Sequence, residues 1–380
     1  MAFVPVSPSV LQWARKFRGL DEATASEKLG ISIADLLAYE SGTKQPTVSV
    51  FEKFAGRYRL PQATLFRETP PDEPPAPVDF RTVGGVRRAE SFEYRVVLSE
   101  VRGYLTELRK IAQEDEEFFA PRLPHYSERD DPEALGMKER ERLGIGINRQ
   151  IEWKAGTAFS HWRATIEKQG VSVFIKKYPW TDSRGFSLFD DPTTPAIVIN
   201  KNESVEVART FSLLHEYAHL LIRNPGVSDH NPKNPVEAFC NRFAGAFLMP
   251  DAALRKLLPH WPNEPVEWSS SEIAAWAKAL KVSQVALALR LEHVGLAPQG
   301  FFMRFNRHNA PAPTVRRQPK LDPSKVRVFE LGGTYQGAVI GALERDVISE
   351  VTAVQALGVP PEKFHLVRSN LDRQRALAGG

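Results

Sequence analysis

The stretch LLHEYAHLLI, residues 213–222, decides how the rest of the chain is read. It sets His215 and His219 four positions apart, with Glu216 between them and apolar residues on either side. A helix turns by about 100° per residue, so side chains four apart lie on one face, one turn apart. Both imidazoles can then face a single divalent ion, which is the basis of the H-E-x-x-H zinc motif. Glu216 lies beside them, placed to polarise a metal-bound water without ligating the metal. Two histidines at this spacing also occur by chance on a core helix, so the flanking sequence must separate the two readings.

Three flanking features favour the metal. The run VEVARTFSLLHEYAHLLI is helical throughout, with Phe211, Leu214, Ala218 and Leu221 or Ile222 on one stripe. In so apolar a helix an unpaired polar group is costly. A polar loop, RNPGVSDHNPKNP, then leads to a second helix, VEAFCNRFAGAFLM, ended by Pro250. Glu237 opens that helix as the candidate third ligand, and Asn241, one turn on, is placed to orient Glu237 or a neighbouring carbonyl. Upstream, VSVFIKKY (171–178) reads as a strand and GFSLFDDPTTPAIVIN (185–200) as two more joined by a turn. The strand at 195–200 offers an edge for an extended peptide. His230, in the loop between the ligand helices, is a candidate donor to a developing oxyanion, with His161 and Tyr178 as further candidates. Tyr217 points off the ligand face.

At 380 residues the chain is long enough for two or three domains. With 42% hydrophobic and 25% charged residues it has a globular composition. A net charge of +4 permits contact with nucleic acid without requiring it. The single cysteine, Cys240, excludes an internal disulfide framework and fits a reducing compartment. No apolar run approaches the ~20 residues that span a bilayer, and the first residues lack the order of a secretion signal. The expected location is the cytoplasm.

Residues 8–68 read as an all-helical unit in which Asp21 caps one helix, Gly30 stops it and Ser32 caps the next. This is the layout of a helix-turn-helix. A proline-rich linker is expected at 69–90 and a helical connector at 91–149. The helical pair within 270–294 is expected to pack on the core that carries the motif. The basic stretch 306–325 reads as a second linker. In the tail, 326–380, VRVFEL reads as a strand, GGTYQG as a turn and 345–357 as a helix, giving a mixed α/β extension.

HEYAHLL followed by EAFCNRFAGAFLMP resembles the ImmA/IrrE metallopeptidase family over roughly residues 150–297. Its pattern is a HExxHLL helix and then E-x-x-A-N-x-F-A-x-x-L-L-M-P. His215 and His219 match the histidine ligands, Glu216 the catalytic glutamate and Glu237 the third ligand. Asn241, Phe243, Ala244, Leu248, Met249 and Pro250 fit the downstream signature. Cys240 and Phe247 depart from it, where alanine and leucine are common. The resemblance implies an α+β chain with a thermolysin-like (gluzincin) core, a small sheet packed on the HExxH helix, and Zn2+ as cofactor. It also implies a protein substrate, a transcriptional repressor or antitoxin.

Residues 8–68 are similar to the Cro/repressor-type helix-turn-helix domains, with Tyr39-Glu40-Ser41-Gly42 and Pro46 on the W-E-x-G-x-x-x-P pattern. The resemblance implies DNA as a partner, contacted around Lys28, Ser32, Asp35, Lys44 and Gln45. Positive charge in the flanks comes from Arg15, Lys16, Arg18, Lys28, Lys44 and Lys53. Ser32, Ala34 and Asp35 are not the usual base-reading residues, so backbone contacts should dominate. A protein-docking or homodimerising module is the competing expectation.

Overall fold

The computed structural model describes residues 2–72, 78–79, 82–83, 86–87, 90–203, 205–228, 234–258, 265–308 and 322–379. They fall into two units, residues 1–76 with 88–103, and residues 77–87 with 104–380.

In the first unit, five helices follow one another: α1 (Pro8–Phe17), α2 (Glu22–Leu29), α3 (Ile33–Glu40), α4 (Val48–Tyr58) and α5 (Gln62–Leu65). Their ends are written in local chemistry. Asp21 accepts from the Thr24 N–H, Ser32 from Asp35 and Thr47 from Val50, each satisfying an orphan donor of a first turn. Gly30 takes a left-handed conformation (φ 63°) that ends α2, and three residues separate α2 from α3. The core holds Val10, Ala14, Leu36, Phe54 and Tyr58. It also holds two of the cations expected at the surface. Arg15 is buried and forms a bidentate pair with Glu40, at 2.8 Å on both arms. Arg18, buried likewise, donates to the carbonyls of Tyr58, Arg59 and Arg95. Neither is a free flanking charge.

The second unit starts with three two-residue strands, β1 (Val78–Asp79), β2 (Thr82–Val83) and β3 (Val86–Arg87). The expected linker at 69–90 is therefore strand-forming at its end. The helix α6 (Phe92–Glu114) runs from the first unit into the second, so the expected 91–149 connector contributes to both. There follow α7 (Pro132–Arg142), α8 (Ile147–Glu152), α9 (Ala158–Glu167), β4 (Ser172–Lys176), β5 (Gly185–Leu188), β6 (Ala196–Asn200), α10 (Glu206–Leu221), β7 (Gly226–Ser228) and α11 (Pro235–Leu248). Helices α12 (Asp251–Leu257), α13 (Ser270–Leu280), α14 (Gln284–His293) and α15 (Phe301–His308) come next. The chain ends in α16 (Pro323–Leu331), α17 (Gly333–Glu344), α18 (Glu350–Leu357) and α19 (Phe364–Gly379).

The sheet order is β1-β7-β5-β6-β4, with β5 antiparallel to β6 and β4 parallel to it. Its three longer strands are buried at every residue, so both faces must be covered. Val173, Ile175, Ile197 and Ile199 share a core cluster with α10, α11, α13 and α14. Phe174, one step along β4, points the other way. It meets Tyr104 and Tyr335, with ring centroids 5.4 and 5.7 Å away. The second face is thus covered by α6 and α17, and α16 also packs on β4.

That cover corrects the reading of the tail, whose described residues form four α-helices and a short 3-10 turn at Pro361–Lys363, joined by tight turns, with no strand among them. VRVFEL alternates like a strand, but Asp322 caps it by accepting from Ser324, and Pro323 occupies the first helical position. GGTYQG is no turn: Gly332 (φ 77°) breaks the chain once, and α17 then buries Tyr335, Gln336, Val339 and Ile340 at helical spacing.

Helix α7 packs on α11 through Gly136. A Cβ there would lie 2.9 Å from both Phe243 O and Phe247 N. Gly136→Ala should lower the thermal midpoint. The clash falls on backbone that cannot swing away, and overpacking costs about 1–3 kcal/mol, against the ~1 kcal/mol that alanine gains in a helix. A midpoint equal to or above the wild type would show that α7 and α11 can separate freely.

Candidate metal centre

Residues of α10 and α11 are brought together at one point. His215, Glu216, His219 and Glu237 are all fully buried. Glu237 Oε2 is 3.3 Å from His215 Nε2, and its Oε1 is 3.2 Å from His219 Nε2. The two Nε2 atoms are themselves 3.2 Å apart. Ligands at about 2.0–2.1 Å from a tetrahedral zinc stand about 3.3–3.4 Å from one another. Each Nε2 has nearly that spacing to the other and to one carboxylate oxygen, Oε2 for His215 and Oε1 for His219, and two imidazoles with one carboxylate are a zinc donor set, so the residues fit the ion.

The outer nitrogens are held as a metal site needs. His215 Nδ1–H donates to Asn241 Oδ1 at 3.0 Å, and His219 Nδ1–H to the Asn224 carbonyl at 2.9 Å. Both bonds turn Nε2 inward, the atom of each ring that would ligate a metal. Asn241 was expected to serve Glu237 or a carbonyl and is found on His215. Burial pushes the His215 pKa down; burial acts the same way on His219, but Cys240, Glu237 and Glu216 outweigh it and hold that ring's pKa well above its usual value. Burial also pushes the Glu237 carboxyl up, but its bonds to the two imidazoles outweigh that and hold it well below the usual range.

Cys240 adds a fourth donor nearby: its Sγ and one nitrogen from each histidine lie within 4.8 Å of one another. Burial raises its thiol pKa, and the thiol sits beside His219, so a thiolate is a further donor that the same two histidines could share with a metal.

Glu216 reaches toward β5. A Cβ on Gly185 would come within 3.1 Å of Glu216 Cγ and 3.0 Å of the Val198 carbonyl, so glycine there makes the room that the glutamate occupies. Tyr217 faces away, as expected. Its hydroxyl donates to Glu139 at 2.6 Å, and Glu139 also takes Arg142 and the Tyr126 hydroxyl. This network ties the back of α10 to α7. At the end of α11 the last carbonyls, which have no partner within the helix, are collected by buried groups: Arg140 donates to Phe247 O (2.6 Å), Gln150 to Leu248 O (3.2 Å) and Arg290 to Met249 O (2.9 Å). None of Gly185, Glu139, Arg140, Gln150 or Arg290 carried a signal in the linear sequence, because each acts on a partner 31 to 108 residues away.

Other expected site residues are placed elsewhere. His230 lies outside the described residues. His161 stacks on Trp153, with centroids 4.5 Å apart, and the Tyr178 hydroxyl shares a hydrogen bond with Ser183. The strand β6 is paired on both sides, by β4 and β5, so it presents no edge for a peptide. In the first unit Ser32 and Lys44 both engage Asp35, Lys44 at 2.6 Å. Gln45 Oε1 accepts from the Val6 N–H, and Lys28 lies over the Phe92 ring.

Against known proteins, residues 166–292 match the IrrE N-terminal-like domain, a peptidase M78 family. The match covers both ligand helices and the three long strands. It supports a peptidase of the metallo type for this segment. No curated protein and no solved structure matches the chain. No helix among the described residues is long and apolar enough to cross a membrane.

Asn241→Leu removes the acceptor that orients His215. Zinc affinity should fall by about 10–100-fold, measured by competition with a chromophoric chelator. An unchanged affinity would place the control of that ring elsewhere.

Proposed function

We propose that the second unit is a zinc-dependent endopeptidase in which His215, His219 and Glu237 hold the metal and Glu216 handles the proton. The supporting observation is the convergence of three buried side chains, whose ring nitrogens and carboxylate oxygens approach within 3.3 Å, with Glu216 on the same helix as the histidines. When bound, zinc lowers the pKa of a water to roughly 7 and polarises a carbonyl. Glu216 accepts the proton of the attacking water and delivers it to the leaving amine. Asn241 and the Asn224 carbonyl hold the two rings in register meanwhile. Glu216→Gln should keep zinc but lower cleavage by at least about 10²-fold, the scale of general base catalysis. Zinc content and fragment formation, measured on wild type and variant with the proteins encoded beside this one, check both halves. Equal cleavage by the variant would remove the mechanism. The substrate class that the family resemblance suggests is a transcriptional repressor or an antitoxin.

For the first unit the proposed role is contact with DNA along the phosphate backbone. Asp35 and Lys44 neutralise each other and Ser32 is spent on its helix cap, which leaves little for reading bases. Lys16, Lys53 and Arg57 are exposed. Retention on duplex DNA should therefore fall steeply with salt and show little sequence selectivity. No retention at low salt would instead favour protein docking, for which α3 exposes Ile33 and Leu37 one turn apart.

A further inference from the structure

The proposed chemistry makes no use of Cys240, although the residue stands inside the metal centre. It follows Glu237 by three positions on α11, so the two side chains leave one face of the helix, a turn apart. Neither residue is exposed to solvent. The next residue, Asn241, bonds His215, and the Cys240 thiol itself shares a hydrogen bond with His219. Successive residues of α11 thus meet the two rings carried by α10.

The Cys240 Sγ and one nitrogen of each histidine lie within 4.8 Å of one another. In a tetrahedral site with Zn–S of about 2.3 Å and Zn–N of about 2.0–2.1 Å, sulfur and nitrogen stand about 3.5 Å apart. Closing the difference asks for a movement on the order of 1 Å at most, the scale of a small side-chain rotation.

Buried cysteines are often plain filler, and Cys240 does share a core cluster with Leu213, Phe243 and Phe247. Filler of that kind needs only apolar neighbours. This sulfur instead faces two imidazoles whose outer nitrogens are already fixed by Asn241 and the Asn224 carbonyl. A thiolate is a softer donor than imidazole or carboxylate, and such donors favour zinc over hard cations.

We propose, resting on the zinc site proposed for this unit, that the Cys240 sulfur is a fourth ligand that closes the site in the resting protein. As the sulfur–metal bond forms, the S–H proton leaves to solvent and the corner needed by the attacking water is taken. Four protein donors make the closed form typical of structural zinc, and three make the open form of catalytic zinc. Cleavage then requires the sulfur to withdraw, and Glu216 acts only after that.

Cobalt(II), which substitutes for zinc and absorbs visible light, is the probe, added to the metal-free full chain. A cobalt–thiolate bond adds a charge-transfer band in the near ultraviolet that imidazole and carboxylate ligands do not give. The wild type is expected to show that band, and Cys240→Ala and Cys240→Ser to bind cobalt without it. Cys240 is the single cysteine of the chain, so the wild-type spectrum decides the ligand even if a variant folds poorly. Zinc affinity, measured by competition with a chromophoric chelator, should fall in both variants by at least about 10-fold, the loss that follows even from changing a group behind a ligand. Azide, an anion that takes an open corner of cobalt, should shift the visible spectrum of Cys240→Ala and leave the wild type unchanged. Cobalt bound by the wild type without the charge-transfer band overturns the proposal and leaves the three-ligand zinc site standing. Unchanged zinc affinity in both variants, or an equal response to azide, overturns it too. Failure of the wild type to bind either metal overturns both the fourth ligand and the zinc site.

Discussion

A carboxylate buried between two imidazoles governs this structure. Glu237 has no exposure, and neither have His215 and His219. Taking a carboxylate out of water costs several kcal/mol, and the hydrogen bonds of the two rings offset that only in part. A divalent cation held by these residues would offset more of it, and the ligand spacing near 3.3 Å that it demands is matched by the three atom pairs. The second unit follows from keeping α10 and α11 at that separation.

Several distant groups enforce the separation. On one side, Gly136 lets α7 lie against the backbone of α11, while Glu139 on the same helix binds Tyr217 on α10. One short helix therefore holds both ligand helices. On the other side, the sheet supports α10 through Ile197 and Ile199, and Gly185 leaves space for Glu216. The sheet would be unstable if its second face met water, and the aromatic contact of Phe174 with Tyr104 and Tyr335 shows what shields it. The C-terminal helices are thus a structural layer of the second unit.

How much of this was legible depended on whether the signal was local. The caps at Asp21, Ser32 and Thr47 can be read because a side chain bonds a backbone group a few residues away. The strands at 172–176, 185–188 and 196–200 carry β-branched and aromatic runs, and the ligand helices carry their histidines at turn spacing. The tail was misread because its glycines and the alternating VRVFEL mimic turn and strand, while the helix signals Asp322-Pro323 lie one step upstream. Arg15 and Arg18 were misread as surface charges because nothing local marks an arginine whose partners lie 25 and 40 residues ahead.

By itself the sequence determined the chemistry of the centre: which side chains can bind a metal, on which helices, and with which glutamate beside them. Helical periodicity and ligand type suffice for that, since both act within a few residues. Tertiary structure alone decided that Glu237 turns toward the rings, that Asn241 serves His215, that β6 has no edge for a peptide and that the tail closes the sheet. Each of these depends on contacts between segments far apart in the chain, where close packing and the pairing of buried polar groups, rather than local preference, select the arrangement.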